Sequence, residues 1–233
     1  MALKSVFWPD PAIDDGVLSV SGDEHRHLKV SRVGIGEKVE VFDGRGCVWS
    51  GLVVSADKRI TRIHVAETRQ EPAPRIELIL AQALIRPAAF EWVLEKAVEV
   101  GVTRIIPFRA RRSNVRGAQR QSRWQRIIVE AAKQSKCYHL PRLDGVTDLP
   151  SVLRIEAPSK ILFAEREGIS LKSAVASPPV MYIVGPEGGW TDEELEEAGT
   201  WGASQVHLGS NIMRSETAAV VGGALIHYEL GVL

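Results

Sequence analysis

Two prolines in four residues, Pro72 and Pro74 within Glu71-Pro72-Ala73-Pro74, divide the chain into parts with different hydrophobic periods. Proline fixes φ and withholds an amide donor, so this stretch reads as a stiff extended connector and as the boundary between domains 1–72 and 73–233. Before it, residues 39–43, 47–55 and 60–67 are rich in Val, Ile and Trp. Asp43-Gly44, with Gly46 close behind, and Asp57-Lys58-Arg59 separate them, the punctuation of a small all-β barrel. Only a helical turn over 24–32 is expected among these strands.

Beyond the prolines the period changes to alternating strands and helices. Residues 76–85 form an apolar, strand-like run, and Phe90, Val93, Leu94, Ala97 and Val98 recur at the spacing of an amphipathic helix that ends at Gly101. A strand over 104–108 follows. Trp124, Ile127, Ile128, Ala131 and Ser135 mark the next helix, with Arg123, Arg126 and Lys133 placed on its solvent side. Short apolar runs at 160–164, 180–184 and 205–208 predict strands buried on both faces. Thr191 and Glu194 fit a capping box that opens an acidic helix. The alternation predicts an α/β domain with a mainly parallel sheet. The last helix, 215–230, carries no charge between Thr217 and Ile226 and tolerates Gly222-Gly223, so it is expected to pack closely against another backbone, in this chain or in a second copy.

A net charge of zero conceals a strong asymmetry. Residues 104–142 hold eleven Lys and Arg against the single acid Glu130, whereas the chain beyond 142 holds five basic against thirteen acidic residues. A middle segment this positive suits a polyphosphate partner such as RNA. Cys47 and Cys137 are the only cysteines and lie far apart, so neither a disulfide framework nor a zinc site is expected. His25 and His27 lack companion ligands, and no metal is expected. No apolar run approaches the roughly 18 residues of a membrane span, and residues 1–10 lack the pattern of a signal peptide. A cytoplasmic location and no membrane partner are the resulting expectations.

Two glycine-containing loops follow the last two predicted strands: GPEGGWTDEEL from Gly185, and LGSNIMRSETAAVVGGAL from Leu208. Both fall at carboxyl ends of strands, where open α/β sheets bind ligands. Neither has the GxxxxGK[ST] or GxGxxG spacing of a phosphate loop, which disfavours nucleoside triphosphate and dinucleotide cofactors. Glycine lets a backbone approach closely and Pro186 stiffens the turn, features that suit main-chain recognition of an adenine edge; tight turns without a ligand would show the same composition.

The two loops together resemble the signature segments of the RsmE family of SPOUT methyltransferases. FEWVLEKAVEVGVTRIIPFRARRS, residues 90–113, is similar to the family's first helix, strand and basic loop, and RWQRIIVEAAKQS, 123–135, to its second helix. HLKVSRVGIGEKVEVFDGRG, 27–46, resembles its amino-terminal RNA-binding barrel. The resemblance implies a PUA-like β-barrel ahead of a SPOUT domain with a trefoil knot, and a homodimer. It implies methylation of N3 of a specific uridine in 16S rRNA of the small ribosomal subunit, with S-adenosyl-L-methionine as cofactor.

Carried onto this sequence, the resemblance places Gly185, Pro186, Glu187, Gly188 and Gly189 with Leu208, Gly209, Asn211, Ile212 and Met213 around that cofactor. Arg214, Glu216 and Thr217 fall nearest methyl transfer, and Arg26, Arg32, Arg109, Arg111, Arg112, Arg116 and Arg123 are the expected RNA contacts. Two departures stand out. Asn211 occupies a position where the family has arginine, and Lys136-Cys137 follows Ser135 where arginine is usual, so a weakened RNA or dimer contact is expected at Cys137.

Removing the N3 proton of uridine leaves negative charge on the flanking carbonyls, which the Arg214 guanidinium is suited to stabilise. Glu216 is the candidate general base, or else a holder of Arg214. Two other readings stay open: a methyltransferase acting on another RNA such as tRNA, and a non-catalytic rRNA-binding assembly protein.

Overall fold

A computed structural model describes residues 3–113, 121–165 and 168–232. The chain packs as two compact units, Met1–Ala73 with Val129–Leu140, and Pro74–Ile128 with Pro141–Leu233. The first unit contains β1 (Lys4–Phe7), β2 (Ile13–Asp14), β3 (Val17–Ser21), α1 (Gly22–Val30), β4 (Lys38–Phe42), β5 (Cys47–Ala56) and β6 (Ile60–Gln70). Its six-stranded sheet has the order β1-β4-β5-β6-β3-β2, antiparallel except for the β1–β4 pair. Alternating residues close its core, with Val6, Leu18, Val20, Val39, Val41, Val53 and Ile63 packed around Leu28 of α1. The region expected to supply a turn is thus a nine-residue helix that buries His25 and Leu28. A bulge at Ser50/Gly51 bends β5 over β6.

The segment Val129–Leu140 belongs to this unit through charge. Glu40, 6% exposed, accepts hydrogen bonds from Lys136 Nζ at 2.7 Å, Arg69 Nη2 at 3.0 Å and Tyr138 Oη at 3.0 Å. Lys133, expected on the solvent side of its helix, is buried and bridges Glu24 at 3.1 Å and Glu130 at 2.8 Å. The helical stripe alone places Lys133 outside; Glu24, 109 residues away in sequence, makes that side an interior. Burial would raise the Glu40 pKa, but the Lys136, Arg69 and Tyr138 donors outweigh it and hold the carboxyl below its ordinary value. Its ionised form therefore stabilises the fold above the ordinary carboxylate range, and this contribution fades as pH falls through the lowered value. Glu40→Gln strands two cations and is expected to cost about 3 kcal/mol. Urea unfolding should show that deficit at neutral pH shrinking as pH falls below the ordinary carboxylate range; a deficit that does not change with pH would contradict the assignment.

The second unit contains β7 (Leu78–Ala83), α2 (Pro87–Glu99), β8 (Arg104–Arg109), the start of α3 (Gln121–Ser135), β9 (Arg142–Leu143), β10 (Thr147–Asp148) and α4 (Leu149–Leu153). It continues with β11 (Ser159–Phe163), α5 (Leu171–Ala174), β12 (Val180–Val184), α6 (Asp192–Thr200), β13 (Ser204–Val206) and α7 (Ser215–Glu229). The seven strands are all parallel, in the order β10-β8-β7-β12-β11-β13, with β9 on β8. β7 and β12 are buried at every residue, as a sheet covered on both faces requires. The stripe Phe90, Val93, Leu94, Ala97 and Val98 faces inward from α2. Thr191 and Glu194 form the capping box at the start of α6. No helix among the described residues is long and apolar enough to cross a membrane.

Within the chain, packing accounts for the glycines of α7. A Cβ on Gly222 would overlap the Phe163 ring, and one on Gly223 would lie 2.8 Å from the Tyr182 hydroxyl. Those contacts fix α7 against Phe163 at the end of β11 and Tyr182 in the middle of β12. The opposite face stays open, with Leu225 and Tyr228 exposed.

Candidate active site

At the carboxyl ends of β11, β12 and β13 a cleft of about 530 Å³, counting its open mouth, is lined by Phe163, Val184, Trp190, Leu208, Ile212 and Met213 on its apolar sides. Gly185, Pro186, Ala164, Ser215 and Ala218 complete the wall, and Glu165 and Asn211 add polar groups. Among the described residues, neither Lys nor Arg lines it. A cleft so built suits an adenosyl group with a cationic centre and is poorly matched to a polyphosphate.

The wall is held by hydrogen bonds between strand ends. Trp190 donates its indole N–H to the Phe163 carbonyl at 2.8 Å and lies parallel to Phe108 at 6.2 Å. Gly185 leaves room for that indole, because a Cβ there would stand 2.8 Å from it. Ser215, first residue of α7, donates to the Gly185 carbonyl and accepts from Gln82 Nε2 at 2.9 Å. Gln82 is fully buried near the end of β7, so one side chain ties β7, the β12 loop and α7 together.

Of the residues expected around the cofactor, Gly185, Pro186, Leu208, Asn211, Ile212 and Met213 line this cleft. Leu208, expected within a strand, lies two residues beyond the end of β13, in the loop. Glu187, Gly188, Gly189 and Gly209 are outside the lining. Glu187 pairs with Arg86 at 2.6 Å, Gly188 gives its carbonyl to Arg112 Nη1 at 3.2 Å, and the Gly189 amide closes a turn on the Pro186 carbonyl at 3.0 Å. Gly209 has a positive φ of 120° in the second loop. Arg214 is exposed at the N-cap of α7, Glu216 lies in the first turn of that helix with one oxygen buried, and Thr217 is exposed beside it. Phe163, Glu165, Trp190 and Ser215 were not anticipated. Trp190 and Ser215 stand inside the two loop motifs; Phe163 and Glu165 carry no local signal, since only pairing of β11 beside β12 brings them here.

The expected RNA contacts divide by partner. Arg26 is paired with Asp23, and Arg123 is gripped by both oxygens of Glu91. Arg111 pairs with Glu193 at 3.3 Å. Arg112 Nη1 also reaches the Trp190 carbonyl at 2.9 Å, so this arginine braces the first loop of the cleft. Arg32 and Arg109 are exposed, and Arg116 lies outside the described residues. Cys137 turns inward, its thiol donating to the His139 carbonyl at 3.1 Å, and burial pushes the thiol pKa up.

The sheet is all parallel with a glycine-edged cleft at its carboxyl ends, and a family model described as an RNA methyltransferase domain matches residues 71–227, which makes the chain a methyltransferase of RNA. A second, described as an RNA methyltransferase PUA domain, matches residues 20–61. The chain is 30% identical to Ribosomal RNA small subunit methyltransferase E of Synechocystis, over 97% of this chain and 78% of that one. It is also 30% identical to the Mycobacterium bovis protein of that name, over 93% and 88%. The chain belongs to the ribosomal RNA small subunit methyltransferase E family, the RsmE family of the SPOUT superfamily. The Neisseria gonorrhoeae member, solved with S-adenosyl methionine bound, superposes with a TM-score of 0.91 at 27% identity, covering 97% of this chain and 98% of that one.

Proposed function

We propose that the chain transfers a methyl group from S-adenosyl-L-methionine to N3 of a uridine in 16S rRNA of the small ribosomal subunit. The observation that carries the reading is the cleft at the ends of β11–β13, apolar, free of basic lining residues among the described residues, with Arg214 between its lining residues Met213 and Ser215 and Glu216 next in the chain. Bound there, S-adenosylmethionine supplies an electrophilic methyl group on a sulfonium. The cleft walls exclude water, the main chain at Gly185 and Leu208 meets the adenine edge, and the Glu165 carboxylate is available to the hydroxyls or cationic groups of the ligand. Arg214 stabilises the charge that develops on the uracil carbonyls. None of these roles calls for a metal. Relatives named for small-subunit ribosomal RNA support that RNA over tRNA, and an intact cleft supports catalysis over a purely binding role.

The reading places the protein in the cytoplasm as a knotted homodimer, with residues 1–72 as an RNA-binding domain and 73–233 as the methyltransferase domain. The exposed Leu225 and Tyr228 of α7, together with Trp92 of α2, supply the apolar face for a second copy. Arg26, Arg32, Arg109, Arg111, Arg116 and Arg123 bind RNA in this account, with Arg112 bracing the cleft instead. Arg111→Glu should weaken RNA binding and lower its salt slope by about one, with cofactor affinity retained. RNA affinity equal to wild type in a salt titration would remove Arg111 from the interface. The function itself is tested by supplying labelled cofactor with unmodified small subunits, naked 16S rRNA or tRNA. Label should enter small-subunit RNA; label confined to tRNA, or none, would overturn the reading.

A further inference from the structure

Gln82 is the one polar residue of β7, and its side chain is fully buried. The strands on either side set Pro107 and Val184 beside it, and neither side chain offers a hydrogen bond or a charge. An amide in such surroundings loses its contacts with water, and an apolar residue would fill the position at lower cost. Gln82 Oε1 finds no hydrogen-bond partner among the described residues, which adds to that cost. What the amide does make is two hydrogen bonds from Nε2, to the Ala83 carbonyl at 3.0 Å and to Ser215 Oγ at 2.9 Å.

Those two bonds fix the direction of the protons that follow. The Ala83 carbonyl can only accept, so the amide atom facing it is the nitrogen and not the oxygen. That nitrogen has only protons to offer, so Ser215 Oγ accepts from it. The single hydroxyl proton of Ser215 is thereby directed to its other partner, the Gly185 carbonyl, at 2.5 Å. Gly185 precedes Pro186, so the peptide between them has no N–H, and its carbonyl is the one polar atom it has to satisfy. Held by Ser215, that carbonyl fixes the plane of the peptide on which Gly185 and Pro186 enter the wall of the cleft.

We propose that Gln82 is a positioning residue for cofactor binding. By donating to Ser215 it directs the Ser215 proton onto the Gly185 carbonyl and so sets the first cofactor loop, although Gln82 is not itself among the residues that line the cleft. This rests on the reading of the cleft as the site of S-adenosylmethionine.

The test replaces the amide with a group whose ability to donate depends on pH. In Gln82→Glu the ionised carboxylate can only accept, so it draws the Ser215 proton toward itself and leaves the Gly185 carbonyl unmet. The protonated carboxyl donates to Ser215 and restores the wild-type direction. Burial raises the pKa of such a carboxyl, and the one acid in the first turn of α7, Glu216, acts in the same direction when ionised. Affinity for S-adenosylmethionine is measured by calorimetry from neutral to mildly acid pH for Gln82→Glu, Gln82→Met, Ser215→Ala and the Gln82→Met, Ser215→Ala double variant, each relative to wild type at the same pH. Thermal unfolding is recorded alongside. At neutral pH Gln82→Glu should bind on the order of tenfold more weakly or worse, and the deficit should shrink as pH falls through the raised pKa. Gln82→Met should show a deficit that does not change with pH, and the double variant should lose little beyond Ser215→Ala alone. KM for the cofactor should rise more than kcat falls, with RNA affinity unchanged. A deficit in Gln82→Glu that ignores pH, additive losses in the double variant, or wild-type affinity in Gln82→Met would overturn this proposal. Should Gln82→Glu fail to fold, the Gln82→Met and Ser215→Ala cycle decides alone. A wild-type protein that binds no S-adenosylmethionine would overturn the reading of the cleft instead.

Discussion

Replacing Arg214 with alanine is expected to lower turnover on the order of a hundredfold or more and to leave cofactor affinity nearly unchanged. Arg214 directly follows Met213, which lines the cleft, and precedes the buried start of α7. It sits at the helix N-cap in extended conformation and makes no capping hydrogen bond, so its side chain is not committed to the helix. A guanidinium gains nothing beside the sulfonium of the bound cofactor, since both are cations. Once uracil becomes anionic, the same guanidinium is attracted to it, and an interaction made only in the reacting state appears in kcat. Single-turnover kinetics with a parallel calorimetric titration separates the two quantities. Near-normal turnover, or loss of cofactor binding, would make Arg214 a cofactor or structural residue.

Trp190→Ala is expected to be the most damaging change in the wall of the cleft. The indole is 9% exposed, lies parallel to Phe108 and holds the Phe163 carbonyl, so its removal opens a cavity and strands an acceptor. Losses of about 3–5 kcal/mol are usual when a buried tryptophan is cut to alanine. Cofactor affinity should fall at least about tenfold, because Phe163 and Gly185 lose the group that spaces them. Trp190→Phe keeps most of the packing and removes only the donor, so it should cost about 1 kcal/mol. Urea unfolding and calorimetry on both variants check the ranking. Equal stability of the alanine and phenylalanine variants would show that packing against Phe108 contributes little.

Local pattern determined what could be read from residues alone. Val180–Val184 has the expected ends because five consecutive residues are buried, and the α2 stripe and the α6 capping box rest on contacts within a few residues. The placement of β12 between β7 and β11 was not legible, since pairing between strands roughly a hundred residues apart leaves no periodic trace. The two-residue strands β9 and β10 are too short to show any period. Lys133 is the clearest divergence, a lysine on the polar side of a helix that meets Glu24 and becomes interior.

The site divides in the same way. Its loops were legible because glycine and proline mark backbones that turn sharply or approach closely, and six of the ten cofactor residues drawn from them line the cleft. The glycine signal does not distinguish a residue that lines the cleft from one that braces it. Gly188, held by Arg112, and Glu187, held by Arg86, therefore fell in the same group as Gly185. Gln82 belongs to no loop motif and reaches the site only because β7 ends beside α7.

The chemistry is tested most directly by identifying the product nucleoside. Unmodified small subunits are incubated with the protein and S-adenosylmethionine carrying a labelled methyl group, and their 16S rRNA is digested and analysed by mass spectrometry. The expected result is label in N3-methyluridine at a single position, entering on the order of a hundredfold more slowly when Arg214→Ala replaces the wild-type protein. Label on a ribose hydroxyl, on a ring carbon or on a base other than uracil would contradict it.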